Sequence, residues 1–450
     1  MPDDAPVTMA TRSAFSSLLM CAPRFAGYGG ACYSTQRDAM TAAPPHRNRT
    51  MRVLNRVGPV LAPRWPSLDP DNIVRAAARA AKSDHFGDES FRDALPVLFD
   101  AVAREADLTW LGRVMCRQSL LGFLQNRFSI YRHRAAHPEV AGVPIERPLF
   151  IVGFPRTGTT ILFNLLAQDP ANRVPLGWEV QFPDPPPQSA TFATDPRIAK
   201  GRTYFGHMDT MAPSLASIHE VGADLPQECM PILAQSMLGP QFNVTFNVPS
   251  YQVWTDEQSD APAYTYHRHF LEHLQSKHMK DRWVLKSPVH LRSLDALLTE
   301  YPDARIMFTH RDPAKTVPSL ASLIYVIRGL ASDSVDPHAL GQQQLQWWAD
   351  SLDAAMAARE KHSEKSDQFM DIQFDEVVAD PVAALGRAYE RFDIPWSADI
   401  EGRMRSFLVN NPRGKHGAHR YEIEDFGMSL GQIRKRFEGY CSTYGIPLAL

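Results

Sequence analysis

The chain has 450 residues, of which 44% are hydrophobic and 22% charged, so it carries enough apolar material to bury a sizeable core. Its formal net charge of −3 excludes a global basic field that would draw it to nucleic acid or to an anionic membrane, so an anion site has to be built locally. No apolar run approaches the roughly 20 residues that a membrane-spanning helix needs. We therefore predict a soluble, cytoplasmic protein with no transmembrane segment and no nucleic-acid partner.

The five cysteines are odd in number and widely scattered, which fits neither a disulfide framework nor the paired spacing of a zinc site. The sequence therefore predicts a reducing compartment and no metal ligands. The first stretch, residues 1–55, is low in acidic residues and is predicted as a flexible leader or a misassigned start ahead of Met51. An organelle transit peptide is the third interpretation of the same composition.

A helical region is predicted over residues 56–145. Apolar residues recur there at helical spacing, as in Leu95, Leu98 and Val102. The pattern changes just before Leu149, where a Pro-bounded segment leads into a short unbroken apolar run. This change marks the boundary of a second domain.

Residues 146–450 are predicted to form this second domain, with an α/β fold. Four short apolar runs are typical of strands buried in a parallel sheet: Leu149–Val152, Trp283–Leu285, Ile306–Thr309 and Phe369–Phe374. Helical patterns follow the last three, at Leu291–Glu300, Ala314–Leu330 and Glu376–Phe392. Strands that alternate with helices indicate right-handed βαβ units, so we predict a P-loop-type parallel sheet flanked by helices. The proline-rich stretch at residues 175–266 is predicted as loops and short helices that cover a substrate.

The strongest local signal is the loop Gly153–Thr160, which follows the first strand and opens a helical segment. A strand, a glycine turn and a helix N-terminus together present backbone N–H groups and a positive helix end to a phosphate. The loop departs from the triphosphate-binding pattern G-x-x-x-x-G-K-[ST], because Thr159 stands where that pattern has lysine. Arg156 places a cation inside the loop instead. A ligand with a single 5′-phosphate that carries one further group therefore fits better than a nucleoside triphosphate.

Three further stretches carry cations toward the same end of the predicted sheet. Lys286 ends the second strand, Arg311 follows the third, and Ser319 lies about two helical turns after Arg311, so the last two can hold a second phosphate. Near the C-terminus, a flexible basic segment suggests a loop that closes over an anion. Its residues are Arg413, Gly414, Lys415, His416 and Gly417. Each stretch taken alone also has a simpler interpretation. Lys286 fits a surface lysine, Arg311 fits an ion pair in a turn, and residues 413–417 fit a solvated loop.

Together these segments resemble the sulfotransferase superfamily, and in particular the bacterial-type branch whose loop reads G-x-P-R-[ST]-G-T-T and whose second motif reads L-K-S-P-x-H-L. The resemblance covers Leu149–Tyr440 and implies that the sulfuryl donor is 3′-phosphoadenosine 5′-phosphosulfate (PAPS). It implies that Arg311 and Ser319 bind the 3′-phosphate, with added contacts from the segment 413–417. The 5′-phosphosulfate is expected on Arg156, Thr157, Gly158, Thr159 and Thr160.

The resemblance leaves the catalytic base open. Carbohydrate-modifying and some bacterial members use a glutamate just past the helix that follows the phosphate loop, and Glu179 occupies the comparable place. Animal cytosolic members have a lysine and a histidine two residues apart, whereas Lys286 and His290 lie further apart in this chain. His219 is a third candidate, on the acceptor side. The order of preference is Glu179, His290 and His219, with Lys286 and Arg156 stabilising charge on the departing group.

We therefore predict a sulfotransferase that acts on a hydroxyl of a small-molecule, lipid or glycolipid acceptor. The sulfuryl group carries less charge than a phosphoryl group, so positioned Arg and Lys side chains can suffice and no metal is required. Two alternatives stay open. A P-loop nucleotide kinase would need the missing loop lysine and an acidic magnesium ligand, for which Asp312 is available. A non-catalytic nucleotide-binding protein on the same fold is the second alternative.

Overall fold

Helices precede the first strand in the computed structural model. The structure describes residues 47, 49–62, 65–83, 85–211, 221–412 and 422–447. Within these ranges the helices ahead of the first strand are α1 (Arg49–Leu61), α2 (Pro70–Ala81), α3 (Ser90–Glu105) and α4 (Trp110–Ala136). Side-chain caps set two of their starts: Asp69 accepts from the Asn72 N–H, and Thr109 accepts from the Gly112 N–H. The apolar faces of α2, α3 and α4 pack into a shared core that includes Phe91, Leu98 and Phe128, whereas Met51 of α1 belongs to a separate small cluster.

A parallel sheet follows these helices. Its strands are β1 (Leu149–Gly153), β2 (Asn172–Arg173), β3 (Arg282–Lys286), β4 (Arg305–His310) and β5 (Phe369–Gln373). In the described part of the chain they form one five-stranded sheet in the order β2-β3-β1-β4-β5, and every pairing is parallel. The order places the carboxyl ends of β3, β1 and β4 side by side, which is where open α/β sheets bind ligands. The sheet confirms the predicted α/β fold.

Further helices flank the sheet. They are α5 (Thr159–Leu166), α6 (Gly177–Gln181), α7 (Pro196–Met211), α8 (Met230–Leu233), α9 (Gln241–Thr245), α10 (Pro249–Asp256), α11 (Ala261–Gln275), α12 (Leu294–Glu300), α13 (Pro313–Ala331), α14 (Pro337–Lys361), α15 (Phe374–Ala379), α16 (Pro381–Arg391), α17 (Ala398–Asn410), α18 (Leu430–Arg436) and α19 (Glu438–Thr443). Short 3-10 helices lie at Pro138–Gly142, Ser189–Thr194, Ala234–Ser236, Pro288–Leu291, Ser363–Gln368 and Glu424–Phe426. Among the described residues, no helix combines the length and the apolar character needed to cross a bilayer.

The side chains of β1 alternate between two apolar cores. Phe150 and Val152 belong to the larger core, which is completed by α11 to α14, whereas Leu149 and Ile151 belong to the core beneath α5 and α16. All five residues of β1 are buried, because helices cover both faces of the sheet. The unbroken apolar run that predicted this strand follows from this double coverage.

The structure corrects two local predictions. The helix predicted over Glu376–Phe392 is divided into α15 and α16, because Pro381 suits only the first turn of a helix and Asp380 caps the second one. The Asp380 side chain accepts from the N–H groups of Val382 and Ala383, at 3.0 and 3.1 Å. The short strand β2 was not predicted, since its two residues are polar and carry no apolar pattern.

Candidate active site

The loop between β1 and α5 has the strand–turn–helix geometry that the sequence predicts. Gly158 caps α5 with a φ of 86°, a left-handed conformation that glycine adopts without steric cost. A Cβ on Gly158 would lie 2.9 Å from Cγ1 of Val377, so close approach also requires glycine. Arg156 has a φ of 68°, which is uncommon for a residue with a side chain and typical of functional sites.

Thr157 fastens this loop to the neighbouring strand. Its fully buried hydroxyl lies 2.6 Å from the Phe154 carbonyl oxygen and 2.6 Å from the hydroxyl of Thr309 on β4. A Cβ on Gly153 would lie 2.1 Å from the Thr309 Oγ1, so only glycine fits at this position. The hydroxyl of Thr157 is therefore hydrogen-bonded within the protein. Thr157 can contribute to anion binding through its backbone N–H.

A cavity of about 720 Å³ opens beside the loop. Its polar lining includes Arg156, Gly158, Thr159, Thr160, Glu228 and Arg311. Much of the remaining wall is apolar and comes from α8 to α10, α13 and α14, with Met230, Val244, Val253, Leu320, Ile324 and Trp348. One cavity is thus lined by cationic residues and by many apolar side chains, which suits a charged group together with an apolar molecule.

Arg311 lies across the phosphate loop. Its Nη1 donates to the backbone oxygen of Arg156 at 2.6 Å, and its guanidinium carbon lies 3.8 Å from the centre of the Phe374 ring. The cation–π contact and the hydrogen bond hold this charge at the cavity. The next residue, Asp312, caps α13 by accepting from the Ala314 N–H at 2.8 Å.

The other predicted anion ligands are placed as follows. Ser319 lies in α13 about two turns beyond Arg311, and it is 8% exposed. Arg413, Gly414, Lys415, His416 and Gly417 lie outside the described residues, as does His219.

Lys286 forms an ion pair that the sequence does not reveal. The residue ends β3, and its Cα is paired with that of Ile151 on β1, two positions before the phosphate loop. Its Nζ donates to Oε1 of Glu228, and its carbonyl oxygen accepts from the Cys229 N–H at 3.0 Å. Both side chains are largely buried, with 3% of Lys286 and 12% of Glu228 exposed. Glu228 is therefore a carboxylate at the cavity, and it is held by a cation at the carboxyl end of β3.

Glu179 has a different environment. It is fully buried in α6, and the guanidinium of Arg173 donates to both of its carboxylate oxygens. The Leu176 N–H also donates to Oε2 at 3.0 Å. This carboxylate thus forms a structural ion pair with Arg173 and also accepts from a backbone N–H. Its placement does not favour the base role that the resemblance implies.

His290 is also enclosed. It lies in the 3-10 helix after β3, is fully buried, and its Nδ1 is 2.6 Å from the Tyr264 hydroxyl. The ring packs edge-on against Phe150, with centroids 5.2 Å apart. Burial lowers the pKa of His290 well below its usual range, so the imidazole is neutral. These contacts belong to the core beneath the sheet, whereas Glu228 borders the cavity.

Comparisons with known proteins identify relatives of the chain. Residues 148–398 match the model of the sulfotransferase family. The chain is 26% identical over 317 residues to the omega-hydroxy-beta-dihydromenaquinone-9 sulfotransferase Stf3 of Mycobacterium tuberculosis, and the values for Mycobacterium bovis are the same. The match covers 68% of this chain and 76% of each relative.

Two solved structures share the fold. Sulfotransferase STF1 from Mycobacterium tuberculosis H37Rv has a TM-score of 0.74 at 32% sequence identity, and the match covers 82% of this chain and 98% of that one. Sulfotransferase STF9 from Mycobacterium avium has a TM-score of 0.78 at 29% identity, with 85% and 98% covered. Sequence and fold thus agree, and the chain belongs to the sulfotransferase family.

Proposed function

We propose that the protein transfers a sulfuryl group from PAPS to a hydroxyl of an apolar, lipid-like acceptor. The observation that carries this proposal is the cavity whose lining combines Arg156 and Arg311 with apolar side chains. The family supports sulfuryl transfer, and PAPS is the donor that the resemblance implies. The relative from Mycobacterium tuberculosis supports the acceptor class, because its name gives a hydroxylated dihydromenaquinone as the molecule it sulfates.

The residues of the loop between β1 and α5, together with Arg311, suit the donor. Backbone N–H groups at the start of α5 and the positive end of its dipole favour an anion. Arg156 and Arg311 add planar guanidinium groups, which form forked hydrogen bonds with phosphate or sulfate oxygens. In this proposal Arg156, Thr157, Gly158, Thr159 and Thr160 hold the 5′-phosphosulfate. Arg311 and Ser319 hold the 3′-phosphate, assisted by the segment 413–417.

The chemistry requires charge stabilisation rather than a redox group. A sulfuryl group moves between two oxygens, and negative charge grows on the departing phosphate. Arg156 and Lys286 are the cations available at the loop and at the adjoining strand end. We propose that they supply this stabilisation and that the reaction proceeds without a metal, because the moving group carries less charge than a phosphoryl group.

The kinase alternative fits these residues less well. The loop has Thr159 where a triphosphate-binding loop has its lysine. Asp312, the acidic residue available for magnesium, accepts from the Ala314 N–H as the cap of α13. Both features favour a bisphosphate ligand over MgATP.

Binding and transfer measurements test the proposal. Calorimetric titration with 3′-phosphoadenosine 5′-phosphate is expected to give tighter binding than ATP with magnesium. With ³⁵S-labelled PAPS, transfer to a series of primary alkanols and alkylphenols is expected to grow more efficient as the apolar part lengthens. Tighter binding of MgATP would favour the kinase, and an absence of transfer to every acceptor would favour a binding protein.

A further inference from the structure

We propose that Glu228 is the general base of the transfer and that Lys286 is its charge partner, so the ion pair at the end of β3 is part of the catalytic machinery. This inference rests on the proposed function and names a catalytic residue within it. It replaces the ranking of Glu179, His290 and His219 that the family resemblance suggests.

The first support is location. Glu228 lines the same cavity as Arg156 and Arg311, and therefore borders the space where donor and acceptor meet. The base must reach the proton of the acceptor hydroxyl while that hydroxyl faces the sulfur. Glu179 and His290 are each fully buried and hydrogen-bonded inside the protein, and their side chains have no exposed surface from which to take that proton.

The second support is the rigidity of the segment that carries Glu228. The Cys229 N–H donates to the Lys286 carbonyl oxygen at 3.0 Å, and the Gln227 N–H donates to the Pro175 carbonyl oxygen at 2.7 Å. The residue after Glu228 is therefore attached to the carboxyl end of β3, and the residue before it is attached to the segment that precedes α6. A base held in this way keeps its position when the acceptor binds, as efficient proton transfer requires.

The third support is the pairing with Lys286. The ammonium group of Lys286 donates to the Glu228 carboxylate and fixes its orientation at the cavity. The chain has few other acidic groups at this cavity, and those are paired elsewhere: among the described lining residues, Asp256 pairs with Arg292 at 3.0 Å and Asp350 with Arg436 at 2.7 Å. Glu228 is the one whose partner ends a central strand beside the phosphate loop.

The proposed transfer breaks two bonds and forms two. The acceptor O–H bond breaks and its proton goes to the Glu228 carboxylate, while the acceptor oxygen forms a bond to sulfur. The bond between sulfur and the bridging oxygen of the 5′-phosphate breaks, and its electron pair leaves with the phosphate. Once Glu228 is protonated, it no longer neutralises Lys286. The Lys286 ammonium is then available to donate to the departing phosphate. Lys286 is paired with Ile151 on β1, and the loop that binds this phosphate begins two residues after Ile151.

The test compares the Glu228→Gln variant with wild type and with Glu390→Gln, a matched change at an exposed position on α16. With PAPS and an alkanol, Glu228→Gln is expected to lower kcat by about 10²–10⁴, the usual cost of losing a general base, whereas Glu390→Gln leaves it unchanged. Affinity for 3′-phosphoadenosine 5′-phosphate stays near that of wild type. With 4-nitrophenol at mildly alkaline pH the acceptor is already ionised, so the loss should be much smaller.

Other outcomes separate the two proposals. Glu228→Gln turnover equal to that of Glu390→Gln, or an equal loss with the alkanol and with 4-nitrophenol, overturns the base assignment while leaving the sulfotransferase intact. Wild-type protein that neither binds 3′-phosphoadenosine 5′-phosphate nor transfers sulfate overturns the proposed function instead. Glu228→Asp guards against a folding defect, because it keeps the charge and is expected to retain more turnover than Glu228→Gln.

Discussion

Arg173 and Glu179 form a two-pronged ion pair that lies entirely inside the protein. One guanidinium nitrogen donates to each carboxylate oxygen, and the side chains are 3% and 0% exposed. The guanidinium also stacks over Trp283, with its carbon 4.8 Å from the ring. Because Arg173 lies on β2 and Glu179 on α6, the pair ties the edge of the sheet to the helix after it.

This geometry predicts a structural effect for Glu179. Glu179→Gln removes the charge that neutralises buried Arg173, so it is expected to reduce the free energy of unfolding by about 3–5 kcal/mol. Urea denaturation followed by circular dichroism measures the loss. The double replacement Arg173→Met with Glu179→Leu should recover part of it, because no buried charge is then left alone. Full stability of Glu179→Gln combined with lost turnover would return this residue to the role of base.

Gly158 provides a second prediction. Its φ of 86° and the 2.9 Å approach of Val377 oppose any side chain, so Gly158→Ala is expected to distort the loop at a cost of roughly 1–3 kcal/mol. The backbone N–H groups at the start of α5 then turn away from the anion, and the affinity for 3′-phosphoadenosine 5′-phosphate falls. Titration calorimetry measures the change. Gly402→Ala on α17 is the control, since a Cβ there meets nothing within 4 Å. Equal affinities for the two variants would contradict the proposal that the N–H groups at the start of α5 bind the anion.

Arg311 predicts selective loss of one phosphate. If it holds the 3′-phosphate, Arg311→Ala should weaken binding of 3′-phosphoadenosine 5′-phosphate by about 10–100-fold, as expected for one charge-assisted hydrogen bond. Binding of adenosine 5′-phosphate, which lacks the 3′-phosphate, should change much less. Fluorescence or calorimetric titration of both ligands measures the difference. A similar loss for both would assign Arg311 to the 5′ end or to the loop, through its hydrogen bond to the Arg156 backbone.

Local patterns predicted much of the fold and the phosphate loop. The unbroken apolar run of β1 reflects burial on both faces, and the glycine turn with its helix start is encoded within eight consecutive residues. Asp312 and Pro313 likewise mark the start of α13 from two adjacent positions. Such features depend on neighbours in sequence and are visible there.

The Glu228–Lys286 pair depends on contacts between residues that are distant in sequence, and it was not predicted. Glu228 precedes Lys286 by 58 residues, and it reaches the site because the chain around Cys229 docks on the end of β3. The Arg173–Glu179 pair was missed although its members are only six positions apart. An acidic residue after the helix that follows the phosphate loop fits the family's base, and only packing shows that Arg173 is bound to it. Residue type and spacing indicate candidates, whereas burial decides between them.

Buried histidines predict how stability depends on pH. Burial lowers the pKa of His267 to about 3, from an ordinary value of 6.5, and its Nδ1 lies 2.8 Å from the Tyr301 hydroxyl. The unfolded chain takes up a proton below pH 6.5 while the folded protein does not. Stability is therefore full above that pH and falls as pH drops from 6.5 toward 3, by up to about 1.4 kcal/mol per pH unit for this group.

A histidine replacement isolates this contribution. His267→Gln removes the titrating group, so the unfolding free energy measured in urea between neutral and moderately acidic pH is expected to vary less steeply than in wild type. The absolute stability will be lower, because glutamine does not reproduce the packing of the ring against Tyr301. The slope is therefore the informative quantity. His338→Gln, at an exposed position, should keep the wild-type slope; an unchanged slope in His267→Gln would mean that other groups, such as buried His273 with a pKa lowered by burial to about 3, carry the acid sensitivity.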